Sequence, residues 1–321
     1  MEKIKRSIIW NLTRQCNWNC KFCCVSAIHK NNGFQQVNIE KDPFFKVGNE
    51  LNYNEKKKIL DFLKNENVKI DFSGGELLID PLNLSLIVYA SSILGKENVG
   101  ISVSGLFISE KVIETLKNKI NDVEITLDYI PYEPYPTRPI GYHEYAANAM
   151  INLKKSGFYV GAQTVLTKCN IEKEKIKKLH DWLILNKIDE WSLLRYFPSG
   201  RGRKFQELTP TFEEYQEVVD YIKFLNKSKD LEVHFQYLLP NHENYTLSCR
   251  AVKKSIGILP DGQVTACFWC LDDKMNIERD EFRLGKFPEQ TYQEIVNSEN
   301  SKNWIKHNYN CIFFSHETLE S

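Results

Sequence analysis

No run of 18 apolar residues occurs in this 321-residue chain, so no segment is long enough to cross a membrane as a helix. Net charge is also missing: 42 basic residues balance 42 acidic ones. That balance gives no support to a nucleic-acid-binding body or a binder of anionic membranes. One short basic run stands against it, Gly200-Arg201-Gly202-Arg203-Lys204. The charged start Met1–Arg6 is followed only by Ser7-Ile8-Ile9-Trp10 before polar residues return, too short for the apolar part of an export signal. Without such a signal, the nine cysteines are expected in a reducing cytoplasm, for metal or redox use. Their odd number cannot complete a disulfide framework. The seven histidines lack metal-ligand spacing, and no internal repeat or low-complexity tract occurs.

What is present is ordinary globular composition, 42% hydrophobic and 26% charged, enough for a large core. The length suggests about two domains, or one large α/β unit with an appendage. Apolar strand patterns at Ser7–Leu12, Val68–Phe72, Val99–Ser104, Val123–Leu127, Val160–Thr167, Trp191–Arg195 and Val233–Tyr237 alternate with helical ones. The helical patterns run over Tyr53–Asn65, Leu82–Leu94, Glu110–Lys119, His143–Ser156, Ile171–Asn186 and Phe212–Asn226. Such β-then-α alternation predicts a parallel sheet with right-handed crossovers. Six units are too few for a closed eight-fold barrel. A partial (β/α)6 barrel over residues 1–240 is expected, with its reactive face at the C-terminal strand ends. The segment 24–51 reads as a cover over that face. Residues 241–321 read as a smaller domain, opened by a hairpin with a Pro260-Asp261-Gly262 turn.

The chemistry begins in Cys16-Asn17-Trp18-Asn19-Cys20-Lys21-Phe22-Cys23. Three thiolates this close can hold three corners of a cubane iron–sulfur cluster and leave the fourth iron open. A zinc knuckle or disulfide partners would use similar residues. One strand later stands Ser73-Gly74-Gly75-Glu76. Its glycines let backbone approach a ligand closely, and its carboxylate can accept from an ammonium group. In this order, with an aromatic residue before the third cysteine, the two motifs resemble those of the radical SAM superfamily. The resemblance implies that S-adenosylmethionine chelates the open iron. One electron, from a donor such as flavodoxin or ferredoxin, then cleaves it to a 5′-deoxyadenosyl radical that abstracts a substrate hydrogen.

The resemblance implies further site residues. Gly74, Gly75 and Glu76 would contact the methionyl amino group. Ser102 and Ser104, the latter in Ser104-Gly105 where relatives often have Asn-Gly, and Asp128 would line the adenosylmethionine pocket. Arg138 or Arg195 would clamp the carboxylate, since a guanidinium binds carboxylates through two parallel bonds. Cys24 and Cys169 are either inert buried thiols or donors that return a hydrogen atom to a substrate radical.

Cys249, Cys267, Cys270 and Cys311 form the second cysteine set. Twelve residues separate Cys249 from Gly262, and four separate Gly262 from Cys267. This resembles the opening of SPASM and Twitch extensions. Four thiolates would fit one auxiliary [4Fe–4S] cluster, and a four-cysteine zinc site has the same ligands. Their spacing of 17, two and 40 intervening residues resembles that of radical SAM peptide epimerases. Those enzymes carry a donor cysteine where this chain has Arg250. The expected substrates are therefore a ribosomally made peptide, epimerised or cross-linked, or a small molecule dehydrogenated with the auxiliary cluster as electron acceptor. A first strand at Ser7 leaves no leader-binding domain ahead of the barrel, so a peptide is expected to be short or to be recognised by the barrel itself. A metal-stabilised binding module without turnover is the non-catalytic alternative.

Overall fold

The computed structural model describes residues 5–30, 47–307 and 309–311. Most of the proposed cover, residues 31–46, lies outside them.

The described elements are β1 (Arg6–Asn11), β2 (Gln15–Cys16), β3 (Ile28–His29), α1 (Tyr53–Leu63), β4 (Val68–Ser73), α2 (Pro81–Leu94), β5 (Val99–Val103), α3 (Glu110–Leu116), β6 (Asp122–Thr126) and α4 (Tyr142–Lys155). There follow β7 (Val160–Leu166), α5 (Lys173–Leu185), β8 (Glu190–Arg195), α6 (Phe212–Leu225), β9 (Glu232–Phe235), β10 (Ser255–Ile258), β11 (Gln263–Thr265), β12 (Arg283–Lys286), α7 (Tyr292–Val296) and α8 (Glu299–Lys306). Strands β1, β4, β5, β6, β7, β8 and β9 pair in parallel in that order. The expected α/β partial barrel is present.

Local chemistry sets the helix ends. Asn52 and Glu55 form a reciprocal capping box that starts α1, and Thr211 and Glu214 form another for α6. Asp80 caps α2, with Pro81 at the first helical position. Alternation does the rest. On β4 the even residues Val68, Ile70 and Phe72 are buried, while Lys69, Asp71 and Ser73 face the barrel interior. Ile8, Trp10, Phe72, Leu127 and Trp191 are fully enclosed in one core, each contributing roughly 1.5–3 kcal/mol of burial.

The C-terminal segment continues this sheet. β10 pairs in parallel with β1, from Ser7 opposite Ser255 to Trp10 opposite Ile258. β11 and β12 then add antiparallel strands at the edge. The division expected near residue 240 is thus followed by a strand hydrogen-bonded to the first strand of the barrel. Among the described residues, no helix is long and apolar enough to cross a membrane.

Candidate active site

The cysteine loop leaves the C-terminal end of β1 and is zipped onto the end of β4. Gly75 N–H donates to the Thr13 carbonyl (2.7 Å) and Glu76 N–H to that of Gln15 (2.8 Å). A Cβ on Gly75 would stand 2.3 Å from the Gln15 carbonyl oxygen, and one on Gly74 would stand 2.7 Å from that of Thr13. Gly74 also has φ +147°. The two glycines are therefore required by the approach of the strand end to the cysteine loop. Glu50 closes the other side, accepting from Arg14 N–H (2.7 Å) and the Thr13 hydroxyl (2.8 Å).

This framework brings Cys16, Cys20 and Cys23 together with Trp18, Ala27 and Tyr142 in one buried cluster. All nine cysteines are free thiols. Burial pushes the Cys16 thiol up, and Glu76, Cys20 and Cys23 push it further by charge repulsion. Cys20 is raised by burial and drawn back by Arg138. Backbone N–H groups reach two of the sulfurs: Trp18 to Cys16 (3.3 Å) and Ala27 to Cys23 (3.4 Å). Such bonds favour a charged sulfur and tune a cluster bound to it. Iron would invert the thiols' preference, because a coordinating thiol is deprotonated outright. The set therefore fits a thiolate-ligated iron–sulfur group. Among the described residues, no three His, Cys, Asp or Glu side chains are arranged to hold a single ion.

The other expected site residues surround this loop, several with partners that sequence reasoning missed. Glu76 is fully buried and raised by burial, and it accepts from Leu78 N–H (3.2 Å) and from the backbone and hydroxyl of Ser104. The Trp18 indole donates to the same Ser104 hydroxyl (3.0 Å). Ser104 thus links the Glu76 carboxylate to the middle of the cysteine loop. Ser102 lies opposite Glu124 in the β5–β6 pairing, on the interior face. Asp128 is fully buried, with one carboxylate oxygen on Arg138 Nε (2.6 Å) and the other on Val165 N–H (3.0 Å). The Arg138 guanidinium lies over the rings of Phe22 (4.7 Å) and Tyr142 (4.8 Å). Arg195 is buried over the Tyr215 ring at 4.6 Å. Burial, then Cys23, raises Cys24 to about 12. Cys169 is half-buried, just after β7, and its N–H donates to the Thr167 hydroxyl (3.3 Å).

A second thiol group forms from distant residues. Ser248 bridges antiparallel to Asn310, Cys249 N–H donates to the Tyr309 carbonyl (2.7 Å) and Cys311 N–H to that of Leu247 (2.9 Å). This pairing sets Cys311 opposite Leu247, diagonal to Cys249 on the same face of the ladder. The turn after β11 supplies Cys267 and Cys270. Cys270 is pushed up first by its hydrogen bond with Cys267, then by burial, and also by repulsion from Cys311 and Cys249. Cys267, Cys249 and Cys311 thus all lie near enough to Cys270 to act on its thiol by charge.

The profile of the radical SAM superfamily matches residues 10–183, and that of an iron–sulfur cluster-binding domain, SPASM, matches residues 249–313. The chain belongs to the radical SAM superfamily. The first domain takes a [4Fe–4S] cluster and S-adenosylmethionine, and the SPASM domain takes further iron–sulfur. The chain is 29% identical to Fe-coproporphyrin III synthase of Methanosarcina barkeri over 68% of its own length. It spans only 51% of that protein. In fold it resembles Streptococcus suis SuiB bound to precursor peptide SuiA, with TM-score 0.68 and 17% identity over 94% of this chain and 67% of SuiB. It also resembles anSMEcpe with bound AdoMet, with TM-score 0.65 and 16% identity over 97% of this chain and 87% of that one.

Proposed function

We propose that this radical SAM protein modifies a peptide by abstracting a hydrogen atom. The observation that carries the reading is the convergence of the Cys16, Cys20 and Cys23 thiols against Gly75 and Glu76, at the adjoining ends of β1 and β4. A [4Fe–4S] cluster held there would supply reductive cleavage of S-adenosylmethionine to a 5′-deoxyadenosyl radical. Cys16, Cys20 and Cys23 would hold such a cluster through their thiolates and leave one position for the cofactor. Glu76 receives the methionyl amino group, held in place by Ser104 and Leu78. Ser102 presents its hydroxyl to the pocket. Asp128 holds Arg138 under the loop, where the guanidinium offsets thiolate charge at Cys20. Arg195, buried over the Tyr215 ring, is the other candidate for the clamp on the cofactor carboxylate.

Cys249, Cys267, Cys270 and Cys311 take one auxiliary [4Fe–4S] cluster, within a domain spanning about 241–321. Full ligation by four thiolates suits an electron acceptor better than a substrate-binding site. A product radical that loses its electron there needs no thiol donor, so cross-linking or dehydrogenation fits better than epimerisation. Epimerisation would require Cys24 or Cys169 to return a hydrogen atom. A flavodoxin- or ferredoxin-type protein supplies the initiating electron.

Fold likeness to SuiB with its precursor peptide supports the peptide reading. The 29% identity to a coproporphyrin-directed protein supports a second one, an iron porphyrin as substrate. The test incubates anaerobically reconstituted, reduced protein with S-adenosylmethionine and either a precursor-type peptide or iron-coproporphyrin. The peptide reading predicts 5′-deoxyadenosine formation with a mass change on the peptide. Turnover of the porphyrin alone would establish the second reading. No 5′-deoxyadenosine with any substrate would remove both.

A further inference from the structure

The basic run Gly200-Arg201-Gly202-Arg203-Lys204 turns two of its side chains onto the rest of the fold. It forms a 3-10 turn soon after β8, inserted between the two thiol sites. Arg201 reaches the radical-site loop. Its Nε and Nη2 donate to the Cys20 carbonyl (3.2 and 2.9 Å), its Nη1 to that of Ala27, and its backbone N–H to that of Cys23 (3.1 Å). Gly200, at φ +53°, lets the turn approach this closely, since a Cβ there would stand 2.5 Å from the Cys24 carbonyl oxygen.

Arg203 reaches the other site. Its Nη2 donates to the Leu271 carbonyl (2.9 Å), next to Cys270, and its Nη1 pairs with Glu278 (2.5 Å). Side chains two residues apart on a three-residue turn diverge, so one turn addresses two loops. The rings just before the turn repeat the division. Tyr196 meets Phe22 edge-on at 5.4 Å, while Phe197 stacks at 5.0 Å on Trp269, between Cys267 and Cys270.

We propose that the Tyr196–Lys204 segment is a bracket that positions both cluster-binding loops, with Arg201 and Arg203 as its positioning residues. The inference rests on the cluster assignment proposed above. A guanidinium fork holds two carbonyls in a fixed planar geometry, which the rotatable donors of a compact lysine ammonium do not reproduce. Arg201 is partly buried and Arg203 exposed, so the Arg201 contacts carry the larger effect.

The test uses anaerobically reconstituted, dithionite-reduced holoprotein: wild type, Arg201→Gln, Arg201→Lys, Arg203→Gln and Arg203→Lys. The readout is the rate at which an iron chelator removes each cluster's paramagnetic resonance signal. The signal that shifts on adding S-adenosylmethionine marks the radical site. Arg201→Gln should speed loss of that signal by about tenfold and spare the other. Arg203→Gln should speed loss of the auxiliary signal by about threefold and spare the first. Each lysine variant should fall between its glutamine counterpart and wild type, and Arg201→Lys carries the test if Arg201→Gln does not fold. Equal effects on both signals, or none on either, would overturn the bracket while leaving the two-cluster reading standing. A wild type without two cluster signals would instead overturn the reading beneath it, and the bracket with it.

Discussion

Cys16, Cys20 and Cys23 come from one run of eight residues, whereas Cys249, Cys267, Cys270 and Cys311 come from three separate stretches of chain. The first site draws its thiols from one local run, which is fastened to β4 by Gly75 and Glu76, to the end of β5 by Ser104, and to the turn after β8 by Arg201. The second exists only after the Ser248–Asn310 bridge has closed a loop of some 60 residues, an ordering that costs chain entropy before any thiol meets another. A site whose ligands are adjacent in sequence can vary its surroundings and keep its donor set. A site assembled from distant segments depends on the fold for the donor set itself. The radical site should therefore be sensitive to its fasteners, and the auxiliary site to its closure.

The largest expected effect breaks the radical site outright. Cys20→Ala should abolish 5′-deoxyadenosine formation, measured by chromatography of acid-quenched reactions, and keep the auxiliary iron. Normal cleavage by this variant would contradict the assignment. The matching break in the second site is Cys311→Ser. It should lower bound iron from about eight to about four per chain, leave cofactor cleavage intact and stop product formation. If iron stays at the wild-type level, Cys311 is not a ligand.

A subtler change tests the fastening. Gly75→Ala places a methyl where the Gln15 carbonyl stands at 2.3 Å. The clash should cost roughly 1–3 kcal/mol of stability in denaturant titrations, with weaker binding of S-adenosylmethionine by calorimetry. An unchanged affinity would mean that the cysteine loop is held independently of β4.

The smallest effect belongs to a region outside both sites and sharpens the comparison as a control. Glu124, inside the barrel, is raised to about 8, first by burial and then by Asp71, Asp122 and Glu190. Its ordinary value is 4.5, so between pH about 4.5 and about 8 the folded chain binds more protons here than the unfolded one. Stability from this group is present at low pH and is lost as pH rises through that window. Glu124→Gln should flatten the fall in melting temperature across it without changing the iron content. An unchanged profile would mean that Glu124 is ionised in the folded protein throughout.

The same contrast explains what could be read from the sequence. Apolar strand runs and helical patterns place the seven parallel strands and the helices between them, because a parallel sheet covered by helices demands apolar strands. Adjacent ligands announce themselves by spacing, as Cys16, Cys20 and Cys23 do. Relations across the fold do not. Arg201 and Arg203 read as a short basic run, and nothing in that run says which loops they hold. Arg138 and Asp128 read as pocket residues, while the structure pairs them under Cys20. Nothing in residues 255–258 alone says that they join β1. Family spacing alone groups Cys311 with the other proposed auxiliary ligands, and the Ser248–Asn310 bridge that brings its segment back to Cys249 has no mark in the sequence.

The most direct test of the two-site account is iron and sulfide per chain after anaerobic reconstitution, for the wild type and for a Cys16/Cys20/Cys23 triple-alanine variant. The account predicts about eight irons falling to about four, with a matching loss of sulfide. Four irons in the wild type and none in the variant, with zinc bound in both, would contradict the auxiliary cluster, and no iron in either protein would contradict the account as a whole.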